Sequence, residues 1–89
     1  MKRYELYLKE VLIGILEVDT VNQKHRYTPT HPQIKEIAKT YPLDRVHIDG
    51  SNGWVKPIPF FYTRIQQMER WNLTQISYQT DRVLLKLCE

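Results

Sequence analysis

Cysteine and glycine are scarce in this chain of 89 residues, which has one cysteine and three glycines. A lone cysteine excludes an internal disulfide, and Cys88 has no histidine beside it in the sequence that would activate its thiol. We therefore expect a protein of the reducing, cytoplasmic compartment that has no catalytic cysteine.

Long apolar runs are missing as well. The longest uncharged apolar stretch, VLIGIL at residues 11–16, is far shorter than the roughly 18 residues that cross a membrane. Charged residues interrupt every apolar run of the opening segment MKRYELYLKE, where a secretion signal would lie. We expect neither a secretion signal nor a membrane partner.

Charge of one sign is not concentrated anywhere along the chain. Lys and Arg outnumber Asp and Glu by 13 to 10, which gives a formal net charge of +3. The basic residues are scattered from Lys2 to Lys86. Such a mild basic balance is compatible with nucleic-acid contact but does not require it.

Spacings typical of metal sites and of nucleophilic catalysis are also missing. The potential metal ligands are His25, His31, His47, Asp44, Asp49 and Cys88. They contain no Cys-x-x-Cys pair and no two histidines one helical turn apart, which are the spacings of zinc sites. Ser51 and Ser77 do not lie in a nucleophile elbow. We predict no metal site, no cofactor and no enzymatic activity, and we expect the histidines on the surface.

Apolar periodicity predicts a single domain over residues 1–89. Alternation with a period of two over residues 4–8 is typical of a half-buried strand. The aliphatic run 11–18 predicts a second, antiparallel strand after the pair Lys9-Glu10, although neither residue adopts the positive φ of a tight turn as easily as Asn-Gly does. Residues 24–28, KHRYT, predict a third strand.

The rest of the chain predicts two helices and three more strands. Apolar residues recur at helical spacing from Ile34 to Tyr41, and Pro42 ends this helix. The alternating segment 43–49, LDRVHID, predicts a fourth strand, and Pro59 marks the start of the second helix.

A last hairpin is predicted over residues 74–78 and 82–87. The predicted order is therefore βββαβαββ, an α+β fold with an antiparallel β-sheet and two α-helices.

Aromatic rings are interleaved with cations between residues 54 and 70. Rigid rings beside positive charge make good anchors for a protein partner or for unstacked bases. The candidate binding residues are Trp54, Lys56, Tyr62, Arg64 and Arg70.

The alternative is that this segment is simply a core helix. Phe61, Ile65, Met68 and Trp71 recur at helical spacing and predict one buried stripe, with the arginines on the solvated side.

Two stretches, YLKEVLIGIL at residues 7–16 and HRYTP at 25–29, resemble the opening of the HipA family of serine/threonine kinases. The N-terminal subdomain of that family has a strand ending in Leu, a two-residue polar turn, aliphatic-Gly-x-Leu and a later Tyr-x-Pro. The matching positions are Leu8, Ile13, Gly14, Leu16, Tyr27 and Pro29. PFFYTRI at residues 59–65 is similar to the Phe-Phe segment that opens a helix in the same subdomain, whereas Lys9-Glu10 replaces the family's Asn-Gly turn.

The resemblance implies a function without catalysis, because the ATP-binding and catalytic residues of the family lie C-terminal to this subdomain. It implies a stand-alone regulatory module that binds a separately encoded HipA-like kinase or a helix-turn-helix repressor, as part of a toxin-antitoxin system. The alternative is a small nucleic-acid-binding accessory protein. Salt dependence separates the two, because phosphate contacts weaken steeply with salt and apolar docking does not.

Overall fold

Five strands form one antiparallel sheet in the computed structural model, which describes residues 2–19, 21–40, 43, 45–50, 53, 59–78 and 83–88, without the side chains of 46, 59–62 and 78. The strands are β1 Lys2–Leu8, β2 Val11–Asp19, β3 Lys24–Pro29, β4 Gln75–Tyr78 and β5 Val83–Leu87. Their order across the sheet is β3-β2-β1-β5-β4. All four pairings are antiparallel, so both predicted hairpins and the third strand are confirmed.

The turn of the β1–β2 hairpin is formed by Lys9 and Glu10, two residues that do not favour tight turns. Lys9 and Glu10 have φ values of 49° and 69°, and positive φ at both central residues is the geometry of a type I′ turn. Leu8 pairs with Val11 directly across this turn. The pairing of the two strands therefore holds two ordinary residues in a backbone region that favours Asn and Gly.

A bulge shifts the register of β2 in the middle of the hairpin. Leu6 pairs with Gly14 and Tyr7 pairs with Leu12, so Ile13 is the extra residue on β2. Ile13 and Gly14 are consequently both buried although they are neighbours in the sequence.

Among the described residues between β3 and β4, three segments are helical: α1 Ile34–Thr40, α2 Arg45–Asp49 and α3 Pro59–Arg70. The predicted start at Pro59 is confirmed, and Tyr41 and Pro42 lie outside the described residues. The observed order is βββαααββ, so the α+β class is confirmed and the predicted fourth strand is wrong.

Residues 45–49 form a helix because of what they pack against. His47 is buried and meets the ring of Tyr27 edge-on, with ring centroids 5.5 Å apart and an interplanar angle of 89°. Gly50 follows with φ of 79°, the left-handed conformation in which helices commonly end. A Cβ at Gly50 would stand only 3.0 Å from the carbonyl oxygen of Tyr27. In so short a segment strand and helix periodicity are hard to distinguish, and the contact with β3 decides between them.

The core lies between one face of the sheet and the helices. The buried apolar residues are Tyr4, Leu6, Leu8, Ile13, Leu16, Val18, Tyr27, Ile34, Ile65, Met68, Val83 and Leu85. Side chains alternate along strands, so the opposite face carries residues such as Arg3, Glu17 and Lys86. The Cα radius of gyration of 12.2 Å matches the roughly 12 Å of a single compact domain of this length.

Two of the three histidines are buried, contrary to the sequence-based prediction. His25 is 1% exposed and His47 is 4% exposed. His25 stands opposite Val18 on the core face of the sheet, and burial lowers its pKa. His31 is only partly buried, and its Nδ1 atom accepts a hydrogen bond of 3.0 Å from the backbone N–H of Gln33 at the start of α1.

Candidate functional site

Of the five predicted binding residues, the structure describes the side chains of Arg64 and Arg70. Trp54 and Lys56 lie outside the described residues, and so does the side chain of Tyr62, although its backbone belongs to α3. Arg64 is partly buried, and its Nη1 atom donates a hydrogen bond of 3.1 Å to Oε1 of Gln67. Arg70 is exposed in the last turn of α3.

Arg64 and Arg70 face different directions on α3. They are six residues apart, which in an α-helix corresponds to about 9 Å along the axis and roughly 120° around it. Of the two arginines, Arg70 is the one that directly precedes the exposed Trp71 in the sequence.

Trp71 is the largest of the exposed apolar residues that follow the helix. The predicted core stripe is confirmed for Ile65 and Met68, which are both buried, but Trp71 is 60% exposed, so its predicted place in the core is wrong. The helix ends at Arg70, which puts Trp71 beyond the regular helical turn. Leu73 is also exposed, by 38% of its surface.

Backbone hydrogen bonds hold this exposed segment in place. Asn72 has a φ of 54°, and the N–H of Leu73 donates to the carbonyl oxygen of Met68 at 2.8 Å. The N–H of Asn72 donates to the carbonyl oxygen of Glu69 at 3.3 Å. Together these bonds form a Schellman motif, a rigid helix end with a left-handed residue. The signal for it in the sequence is Asn72, because asparagine is one of the few residues that tolerate this conformation.

A cleft of about 340 Å³ opens beside this helix end. Its lining residues are Lys2, Tyr4, Met68, Glu69, Asn72, Leu73 and Leu87. Nζ of Lys2 and Oε1 of Glu69 form an ion pair of 3.2 Å, so β1 is tied to the last turn of α3. The two side chains are 45% and 37% exposed, and an ion pair so open to solvent contributes little to stability.

The titratable residues that line the cleft are Lys2, Tyr4 and Glu69. Burial, and secondarily the negative charge of Glu69, raise the pKa of Tyr4 to about 12. The phenol therefore stays protonated near neutral pH and cannot act as a base. Among the described residues, no group of three or more His, Cys, Asp or Glu side chains is placed to hold a metal ion. Nor does this part of the chain contain a helix with the length and apolar character needed to cross a membrane.

Comparison with known proteins adds no relative of this chain. None of the protein-family models, curated proteins or solved structures matches it. The resemblance to the HipA subdomain stays a prediction. The exposed residues Arg70, Trp71 and Leu73 lie at the end of α3, and we call them the α3-end surface.

Proposed function

We propose that this protein is a non-enzymatic, regulatory interaction module that binds a protein partner through the α3-end surface. The observation that carries the proposal is the exposure of Trp71, a large aromatic side chain on a backbone held by hydrogen bonds. Large exposed apolar side chains that cluster on a surface are a mark of interaction sites.

The composition of the α3-end surface supports a protein partner. Tryptophan and arginine are the residues most enriched among those that dominate protein–protein binding energy. Here Trp71 is flanked in sequence by Arg70 and lies two residues from the exposed Leu73. Because the Schellman motif fixes the backbone, Trp71 loses less conformational freedom on binding than a residue in a mobile loop would.

The distribution of charge favours a protein over a nucleic acid. Cations along a nucleic-acid interface must be available to phosphates. In this structure Lys2, Arg26, Lys39 and Arg45 each form an ion pair with a carboxylate, in the pairs Lys2–Glu69, Arg26–Glu17, Lys39–Glu36 and Arg45–Asp49. Nucleic-acid binding is therefore the weaker candidate.

The resemblance to the HipA subdomain supplies the proposed partner. It points to a HipA-like kinase, or to the repressor that accompanies such a kinase, and so to a role in a toxin-antitoxin system. The proposal of an interaction module does not depend on this identity, because it rests on the exposure of the α3-end surface alone.

Affinity capture from the native host tests the proposal. The tagged protein is used at moderate salt, with and without nuclease, and the captured kinase or repressor is then purified for titration. Trp71→Ala is compared with Val21→Ala, because Val21 is an apolar residue with 88% exposure far from α3 in the sequence. We expect Trp71→Ala to weaken partner binding by about thirtyfold, the effect of losing a binding hot spot, while Val21→Ala binds normally.

Two results would contradict the proposal. One is a partner affinity that is the same for Trp71→Ala and the unaltered protein. The other is capture that nuclease abolishes and that falls steeply with salt, which would favour the nucleic-acid alternative.

A further inference from the structure

The two edge strands of the sheet, β3 and β4, differ in how they are protected. β3 ends in Pro29, has α2 packed against it and carries the charged residues Lys24 and Arg26. Proline, charge and a covering helix are the devices by which proteins prevent edge strands from pairing with other chains.

β4 is only four residues long and α3 contacts it, but it has neither the proline nor the charged residues of β3. Its sequence, QISY, contains no charged residue and no proline. No strand pairs with its outer side in the described part of the chain, because β4 is the last strand in the sheet order. Gln75 and Ser77 are exposed. Only Thr74 separates β4 from the α3-end surface in the sequence, so the two form one continuous stretch of surface.

The hydrogen-bond register shows which backbone groups of β4 could bond to an added strand. The N–H of Leu87 donates to the carbonyl oxygen of Thr74 at 2.8 Å, and Ile76 pairs with Leu85 two residues further along. Hydrogen-bonded and non-hydrogen-bonded pairs alternate in an antiparallel ladder. The N–H and C=O groups of Gln75 and Ser77 therefore point away from β5, toward the side of β4 where no described strand pairs.

The side chains of β4 define the pattern of a strand that fits beside it. Ile76 is partly buried and packs against the core, while Gln75 and Ser77 lie on the opposite face in solvent. An added strand would continue both faces of the sheet. Apolar residues that alternate with polar ones satisfy this requirement.

Two kinds of strand could bind beside β4, an acidic segment of a partner or a second copy of this chain, and charge favours the acidic segment. Arg70 is exposed at the end of α3, and Lys86 is exposed on β5 opposite Gln75 with Glu5 on its other side. The chain carries a formal net charge of +3. Two copies therefore repel each other, whereas an acidic segment is attracted.

We propose that β4 is a strand-addition site, at which the partner inserts an extended segment of alternating apolar and acidic residues along Gln75 and Ser77. The inference rests on the proposed function and specifies how the partner binds. Backbone hydrogen bonds supply the affinity in this mode of recognition, and alternate side chains supply the specificity.

A synthetic strand tests the inference without knowledge of the partner. The probe is a blocked peptide of alternating valine and glutamate, about eight residues long so that it exceeds a typical strand. We expect binding to slow the hydrogen exchange of the Gln75 and Ser77 amides while the amides of β3 are unaffected. A peptide with lysine in place of glutamate should bind at least about fivefold more weakly, because like charges oppose association.

Backbone variants separate strand addition from side-chain contact. Ser77→Pro removes an N–H that points away from β5, and proline is tolerated at such edge positions, so the fold should persist by circular dichroism. We expect Ser77→Pro to weaken peptide binding by about tenfold, the value of one hydrogen bond. Ser77→Ala keeps the N–H and should bind like the unaltered protein. A peptide N-methylated at alternate residues makes the same test on the unaltered protein and should also lose binding.

The outcomes separate this inference from the proposed function. Equal affinity of Ser77→Pro and Ser77→Ala for the peptide, or equal affinity of methylated and unmethylated peptides, would overturn strand addition. Dimers of the unaltered protein that Ser77→Pro converts to monomers would overturn the choice of occupant. If Trp71→Ala weakens binding of the natural partner and Ser77→Pro does not, the interaction module stands and strand addition fails.

Discussion

The phenol ring of Tyr27 lies directly against Gly14 of the neighbouring strand. The Tyr27 hydroxyl donates a hydrogen bond of 3.2 Å to the carbonyl oxygen of Ile13, which also accepts one of 2.9 Å from the N–H of Thr30. Tyr27 pairs with Leu16, so its ring crosses diagonally to Gly14, which is buried. The ring fills the space that a side chain at Gly14 would otherwise occupy.

Gly14→Ala should destabilise the fold, because the added methyl group would overlap the Tyr27 ring. We expect a loss of about 1–3 kcal/mol of unfolding free energy, typical of overpacking in a core. Urea denaturation measures it. In a Tyr27→Leu background the same substitution should cost less, because the ring is gone. An equal cost in both backgrounds would show that the ring is not the cause.

Replacement of Lys9-Glu10 by Asn-Gly should stabilise the β1–β2 hairpin. Both residues have positive φ, and relief of this strain is worth about 1–2 kcal/mol of unfolding free energy. Thermal and urea denaturation check the gain. The matched control is Lys9→Ala with Glu10→Ala, which keeps the backbone strain and should give no gain. A double alanine variant as stable as the Asn-Gly variant would exclude backbone strain as the explanation.

Stability should fall as the pH is lowered below about 6.5, the ordinary pKa of histidine. Burial lowers the pKa of His25 in the folded state, so between the folded and unfolded pKa values the unfolded chain binds more protons. The part of the unfolding free energy that depends on His25 is therefore complete above about pH 6.5. It decreases as the pH falls toward the folded pKa, by at most about 1.4 kcal/mol per pH unit.

Urea denaturation at about pH 7 and at about pH 5.5 spans the upper part of this window. His25→Gln, which does not titrate, should lose this component of the pH dependence. His31→Gln is the control because His31 lies on a partly exposed loop before α1 and not on the core face of the sheet. An identical pH dependence in His25→Gln and the unaltered protein would contradict the assignment.

Truncation of Met68 should cost far more stability than truncation of Trp71, although both residues belong to the same helical stripe in the sequence. Met68 is buried in the core and Trp71 is mostly exposed. Met68→Ala should cost about 2–5 kcal/mol of unfolding free energy, whereas Trp71→Ala should change it by only about 0.5 kcal/mol. Thermal denaturation of the two variants compares them. A large loss in Trp71→Ala would mean that the residue stabilises the fold and does not serve a partner.

The candidate site was only partly predictable from the sequence. Arg70 was identified and is exposed, but it stands with Trp71 and Leu73 and not on the same side of α3 as Arg64. Periodicity extended the helical stripe by one residue too many, because periodicity does not mark where a helix ends. The left-handed turn at Asn72 ends it and directs Trp71 to the surface.

The sequence by itself determined the strands and the start of α3. Period-two alternation leaves one register in which the apolar face is buried, and proline at position 59 removes a hydrogen-bond donor that only the first turn of a helix can spare. These are local constraints, and in the five observed strands and at the start of α3 the packing agrees with them.

Only the tertiary structure decided the rest. The placement of β5 beside β1, the helical state of residues 45–49 and the burial of His25 and His47 all depend on contacts between segments far apart in the sequence. Residues 45–49 are too short for periodicity to choose between strand and helix, so the contact of His47 with the Tyr27 ring makes the choice.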